Sequence, residues 1–378
     1  MVANINNYLS RMRARRNGTD RLSNIALDER ISVLTKSLNR EGWEGRVADK
    51  PYTRYALGAM QEVSPEYTRV SLETAERVGS QLKSRLEAKG LGVEFRLQGS
   101  VPLNVHIRGV SDVDLLTLDR DLFTYSVHGP KSKSGLYGNP ANKTSLGTLL
   151  TLRSAVEEVL PDAFPAADVN IEGSKAVKIS GGSLARPVDV IPSHWFDCVA
   201  YQVSGAEHDR AVTILDKGVP CTLDNFPFLH IKRIGDRCDT ARGGLRKSIR
   251  LCKNVKADAE EEGRKIDLSS FDIASAMYYA DMSVLGLSWY YELSVLAETQ
   301  RHLKNLNDNK EYAKSLLVPD ESRKIFDTSE KLVALGRLSS EINDLLESVA
   351  KENSQILASS LYPDLVKSRQ AVSSLKIN

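Results

Sequence analysis

No apolar run in this chain approaches the roughly 18 residues that a membrane-spanning helix needs, and no apolar stretch follows the N-terminus. Those two absences argue against a membrane-embedded or secreted protein and for a cytoplasmic one. Cysteine is scarce. The four present, Cys198, Cys221, Cys238 and Cys252, make no C-x-x-C pair and lack the histidine spacing of a zinc site, so free, mostly buried thiols are expected. The six histidines contain no H-x-x-x-H pair, which leaves metal and nucleophile roles for them without support. An excess of charge of one sign is missing too: Lys+Arg total 51 and Asp+Glu 49, a net charge of +2. A dedicated duplex-DNA binder normally shows its basic excess in the total. Internal repeats and low-complexity tracts are absent.

What is present is 378 residues, 41% of them hydrophobic and 26% charged, enough for a sizeable core in two domains or one composite one. The nearly acid-free N-terminal cluster Arg11, Arg13, Arg15, Arg16 and Arg21 reads as a solvated start, with a transit peptide or phosphate-binding arm as alternatives. Apolar residues at helical spacing predict a helix over Pro65–Ala88, ended by Lys89-Gly90. The alternating segment from Val93 to Leu97 predicts a strand running into Gly99-Ser100, and Val113 to Leu118 a second one. Residues 129–145 read as a long flexible loop, and Leu146 to Leu160 as a helix closed by Pro161. Short strands are expected at Asp168–Ile171, Ala176–Ile179 and Pro187–Pro192. From about residue 205 long helical segments take over, the last carrying Leu335, Leu338, Ile342, Leu345 and Val349 at a spacing that suits packing in a bundle.

The chemistry concentrates in a few places. Asp112 and Asp114 flank Val113 on a strand, so they project from one face while Val113 and Leu115 point into the core. Paired carboxylates repel unless a cation lies between them, and Mg²⁺ or Mn²⁺ suits hard oxygen ligands. Gly99 permits close backbone approach, and the Ser100 amide and hydroxyl can donate to phosphate oxygens in a turn leading towards a helix. Asp189, between Val188 and Val190, supplies a third carboxylate on a polar strand face.

Gly99-Ser100, then Asp112-x-Asp114, then a later strand Asp189 resembles the signature of the DNA-polymerase-β-like nucleotidyltransferase superfamily. Leu97-Gln98-Gly99-Ser100 resembles most the CD-NTase branch, the bacterial relatives of cyclic-GMP-AMP synthase. The glycine that often follows the acidic pair there is replaced by Leu115-Leu116, which keeps oligonucleotide-making and RNA-tailing branches open. The resemblance implies an α+β fold: a polymerase-β-like core with a mixed twisted sheet plus a C-terminal helical bundle. The expected division is 1–205 for the core with N-terminal helices and 206–378 for the helical domain closing the nucleotide cleft.

A second feature supports the same reading. Arg246, Arg250 and Lys253 stand at i, i+4 and i+7 opposite an apolar face of Leu245, Ile249 and Cys252. Without acidic partners such cations repel by about a few tenths of a kcal/mol per pair unless an anion, such as a triphosphate, neutralises them. A solvated helix face is the alternative. By resemblance Lys253 matches a triphosphate-binding helix lysine, with Arg250 and Lys247 as further candidates. Ser270 takes the place of a γ-phosphate ligand, and Phe271 that of a base-stacking platform or a plain core aromatic. Tyr362 anchors the tail or presents a hydroxyl as an internal primer.

The expected activity is Mg²⁺-dependent nucleotidyl transfer, with two ions held by Asp112, Asp114 and Asp189 and pyrophosphate released. By resemblance the substrates are nucleoside triphosphates, the product is a short cyclic or linear oligonucleotide signal in bacterial antiviral defence, and the partner is a downstream effector protein. The alternatives are untemplated, self-primed oligonucleotide synthesis, AMP transfer to a protein or small molecule, and a non-catalytic nucleotide- or RNA-binding module.

Overall fold

The computed structural model describes residues 5–19, 41–360 and 364–377. Its centre is a seven-stranded mixed sheet made of β1 (Val93–Gln98), β2 (Val113–Tyr125), β3 (Asp168–Asn170), β4 (Val177–Ser180), β5 (Val188–Asp197), β6 (Ala211–Asp216) and β7 (Cys221–Asn225). Strands β2 and β5 pair in parallel along the middle, and β1 lies antiparallel on the outer edge of β2. On its other side β5 is shared: its first half pairs with β4 and its second half with β6.

Alternation along the central strands separates two apolar faces. Val113, Leu115, Val188 and Val190 pack under α3 (Pro65–Ala88) and α4 (Ser145–Ala163). Leu116, Leu118, Ile191 and Trp195 lie on the opposite face with Val212 and Ile214, covered by Phe228 of α5 (Pro227–Thr240). Helix α3 starts where a Ser64 cap accepts from the Tyr67 amide and ends where expected. Pro161 is inside α4 rather than at its end, since the helix runs on to Ala163. The 129–145 segment contains one helical turn, Pro130–Lys133, and Tyr137 ties it down by stacking on Tyr125 and donating to Asp197 Oδ2 at 2.8 Å.

The helical body contains α1 (Ile5–Asn17), α2 (Pro51–Met60), α5, α6 (Gly244–Glu261), α7 (Ser270–Met277), α8 (Ser294–Asp308), α9 (Ser329–Asn353) and α10 (Leu365–Ser373) around one core. Leu335, Leu338, Ile342, Leu345 and Val349 of α9 are all buried in it, as a bundle helix requires.

Three expectations are corrected here. The sheet continues past residue 205 through β6 and β7, because Ala211–Leu215 is buried on both faces and so lacks the alternation that marks a half-exposed strand. Helices α1 and α2 pack with the C-terminal helices rather than with the sheet. The arginine cluster is likewise not a solvated start. Arg15 is buried and donates to both Asp258 oxygens at 2.8 and 2.9 Å, with the Tyr55 hydroxyl on the same carboxylate at 2.5 Å. Arg11 pairs with Glu261 and Glu262, Arg13 with Glu44 and Arg16 with Glu41. Arg11 and Arg15 clamp α1 onto the end of α6, whose acids are too distant in sequence to reveal it. Arg21 and Tyr362 lie outside the described residues.

Candidate active site

Strand β1 delivers the chain to Gly99, whose φ of +77° turns it sharply away from the sheet. A Cβ on this residue would stand 2.0 Å from Asp114 Oδ2, so only glycine allows the turn and the carboxylate to coexist. The segment beyond Ser100 forms successive turns rather than the expected helix; Asn104, at φ +54°, interrupts any helical run. Val101, Leu103, Val105 and Ile107 along it are buried, and Leu103 and Val105 belong to the helical core.

Asp114 stands between the buried Val113 and Leu115, and Asp189 between the buried Val188 and Val190, whereas Asp112 lies one residue before β2 begins rather than on the strand. Asp114 pairs directly with Asp189 across β2 and β5, and with Gln98 across β1. Burial, then the charges of Asp189 and Asp112, push the Asp114 carboxyl up to about 7, against the opposing pull of Lys253 and Lys178. Burial and Asp112 also raise Asp189.

Lys178, unforeseen from the sequence, stands opposite Asp189 in β4 and donates to Asp112 Oδ2. The alternation of Val177 and Ile179 around it is the signal that could have found it. Among the described residues no three carboxylate, imidazole or thiol side chains are already gathered at metal-binding spacing. Even so, the donor set is all hard oxygen, and the charge crowded against Asp114 is the kind that a divalent cation relieves; the residues fit Mg²⁺ or Mn²⁺.

The basic stripe of α6 has a definite target. Arg246 Nε donates to the Leu103 carbonyl at 2.8 Å, Arg250 Nε to Asn104 at 3.2 Å, and Lys253 Nζ to Val105 at 2.9 Å. Three cations one helical turn apart thus grip three consecutive carbonyls of the segment between Ser100 and Asp112. Arg250 also donates to the Met60 carbonyl at 2.9 Å, and Lys253 to Ser111 Oγ at 3.1 Å. Both side chains are buried. Burial draws the Lys253 ammonium down to about 7 despite Asp114, and Arg250 down to about 10.

The remaining candidates are spread out. Lys247 approaches Glu292 at 3.6 Å. Ser269, not Ser270, caps α7 in a capping box with Asp272, which leaves Ser270 exposed as the first helical residue. Phe271 stacks on His230 with ring centroids 4.2 Å apart, and the Arg323 guanidinium lies 5.2 Å from the ring. Its ring is therefore engaged by protein neighbours.

Comparison with known proteins supplies the family. Residues 234–347 match the model of the cGAS/DncV-like nucleotidyltransferase C-terminal helical domain. The chain is 44% identical to the cyclic dinucleotide synthase CdnE of Yersinia aleksiciae over 355 residues, 91% of this chain and 92% of that protein. The solved STING-associated CdnE c-di-GMP synthase of Capnocytophaga granulosa superposes with a TM-score of 0.67 at 30% identity, covering 91% of this chain and 97% of that one. Its counterpart from Flavobacteriaceae sp. shares the fold with a TM-score of 0.71 at 23% identity, covering 94% and 100%. The chain belongs to the CD-NTase family of nucleotidyltransferases, in its CdnE cyclic dinucleotide synthase branch.

Proposed function

We propose that this enzyme condenses two nucleoside triphosphates into a cyclic dinucleotide, releasing pyrophosphate at each bond, and that Asp112, Asp114 and Asp189 are its catalytic carboxylates. The observation that carries the reading is the direct pairing of Asp114 with Asp189 beside Asp112, with charge crowded enough to hold Asp114 near 7. When bound, two Mg²⁺ or Mn²⁺ ions would supply positive charge for the attacking and leaving oxygens of in-line displacement at phosphorus.

The chain's own groups do the rest. Asp189, raised by burial, takes the proton of the attacking hydroxyl at its carboxylate. The Gly99 turn presents the Ser100 amide and hydroxyl to phosphate oxygens, and Ser270 offers a second hydroxyl at the start of α7. Lys253 keeps a third N–H beyond its bonds to Val105 and Ser111, and adds charge beneath the phosphates. Arg250 acts through the segment that it grips, by positioning.

The product serves as a signal in bacterial antiviral defence and is read by a STING-type effector, in keeping with the STING-associated relatives. The test is incubation of purified protein with all four NTPs and Mg²⁺ or Mn²⁺, with products treated with phosphatase and resolved by mass. A phosphatase-resistant cyclic dinucleotide, lost in Asp112→Ala/Asp114→Ala with the fold intact, is expected. Ladders of linear oligonucleotide or label attached to protein would overturn the cyclic assignment, and undiminished activity in the double variant would refute the catalytic one.

A further inference from the structure

A cavity of about 250 Å³ lies in the helical body, and none of the three carboxylates lines it. Three cations surround it: Arg46, Arg242 and Lys247. One carboxylate, Glu292, accompanies them, and Arg46 at 2.9 Å and Lys247 at 3.6 Å already share it. The lining is therefore cationic on balance.

Arg242 is the unusual member. It adopts φ +48° directly before Gly243 at φ +88°, a left-handed pair that costs a non-glycine residue about 1–2 kcal/mol. Among the described residues no carboxylate or carbonyl pairs with its guanidinium, and the side chain is exposed at the cavity. The left-handed pair is the stop between α5 and α6, closed by Arg242 N–H to Asp239 O and Gly243 N–H to Cys238 O, and it fixes where this unpaired guanidinium meets the cavity.

Two aromatic rings stand on the same rim. Trp289 is 77% exposed and Tyr290 66%, values far above those of the other two tryptophans, Trp43 and Trp195, at 5% each. Neither Trp289 nor Tyr290 belongs to a core cluster. Cations beside exposed π-faces are the arrangement that binds a phosphate and a nucleobase together.

We propose that this cavity is a second nucleotide site, separate from the catalytic carboxylates, in which Arg242, Arg46 and Lys247 hold phosphate and Trp289 stacks on the base. Its ligand class is a small nucleoside phosphate, drawn either from the substrate pool or from the cyclic product. The site gives the enzyme a way to sense nucleotide independently of turnover.

The fluorescence of Trp289 makes the proposal measurable, because the other two tryptophans are buried. The full-length protein is titrated with the α,β-methylene analogues of ATP and GTP, with c-di-GMP, with inorganic triphosphate and with adenosine. Saturable quenching by the analogues identifies the substrate pool as the source, and saturable quenching by c-di-GMP alone identifies the product. Triphosphate should compete without quenching, and adenosine should bind at least about tenfold more weakly. Arg242→Ala should weaken binding about tenfold, and Trp289→Phe should lose the signal while equilibrium dialysis still finds the ligand. Asp112→Ala/Asp114→Ala should leave the quench intact, so a failed catalytic assignment and a failed cavity assignment give different results. Absence of saturable quenching at millimolar nucleotide, or quenching undiminished in Arg242→Ala, would overturn the proposal.

Discussion

Gly99 and Asp114 are packed so closely that a methyl group on the glycine would lie 2.0 Å from Oδ2 of the aspartate. The positive φ of Gly99 adds a second reason why no other residue fits. Gly99→Ala should displace the Asp114 carboxylate by an ångström or more and lower nucleotide incorporation by about a hundredfold. The stability loss should stay near 1–2 kcal/mol, the cost of a left-handed alanine. Steady-state rates and thermal melts on the same preparation check both parts.

Asp114 also predicts a pH dependence. Unfolded, it ionises near 3.8; folded, near 7, because burial and its acidic neighbours oppose the charge. The native state therefore holds this proton more tightly, and its contribution to stability declines as pH rises between those two values. Above about 7 the whole cost, on the order of a few kcal/mol, is present. In chelator at about pH 8, Asp114→Asn should melt higher than the parent protein, whereas near pH 4 the two should converge. Added Mn²⁺ should raise the parent's melting temperature at the upper pH and leave the variant nearly unmoved. Equal melting temperatures in chelator at both pH values would contradict the charge crowding.

Arg250 and Lys253 support the segment that carries the chain from Ser100 to Asp112. Arg250→Met leaves the Met60 and Asn104 carbonyls without their donor and should cost about 2–4 kcal/mol. Lys253→Met should speed amide hydrogen exchange at Leu103–Ile107 more than in the α9 helix. Exchange unchanged in that segment would mean that the grip of α6 does not hold it.

Arg15 and Asp258 form a buried pair between α1 and α6. Arg15→Ala leaves an uncompensated carboxylate and should destabilise the fold by about 3–5 kcal/mol in denaturant titration. Adding Asp258→Asn to that variant should recover part of the loss, since the stranded charge disappears.

Features set by local pattern were readable in advance. The Pro65–Ala88 helix carries its own cap, periodicity and stop. The strand positions of Asp114 and Asp189 were legible because Val113 and Leu115 flank the one and Val188 and Val190 the other, whereas Asp112 falls just before its strand. Lys178 follows the same rule between Val177 and Ile179, yet a cation shows no value beside acids until the strand order is known. Strand β6 is buried on both faces, so period two vanishes. The targets of Arg246, Arg250 and Lys253 are backbone carbonyls, which every residue possesses and no sequence can mark. Arg15 finds Asp258 at a separation of 243 positions, far beyond the reach of any spacing rule.

The parallel pairing of β2 with β5 has a consequence for when the protein can speak. The acidic residues on these strands meet only after the intervening helix and hairpin have been made and the second strand has docked. A nascent or truncated chain that stops before Val188 possesses two of the three and lacks the parallel strand that brings the third. On the proposed assignment, catalytic competence therefore arrives only once this long-range contact has closed, and unfinished copies stay silent.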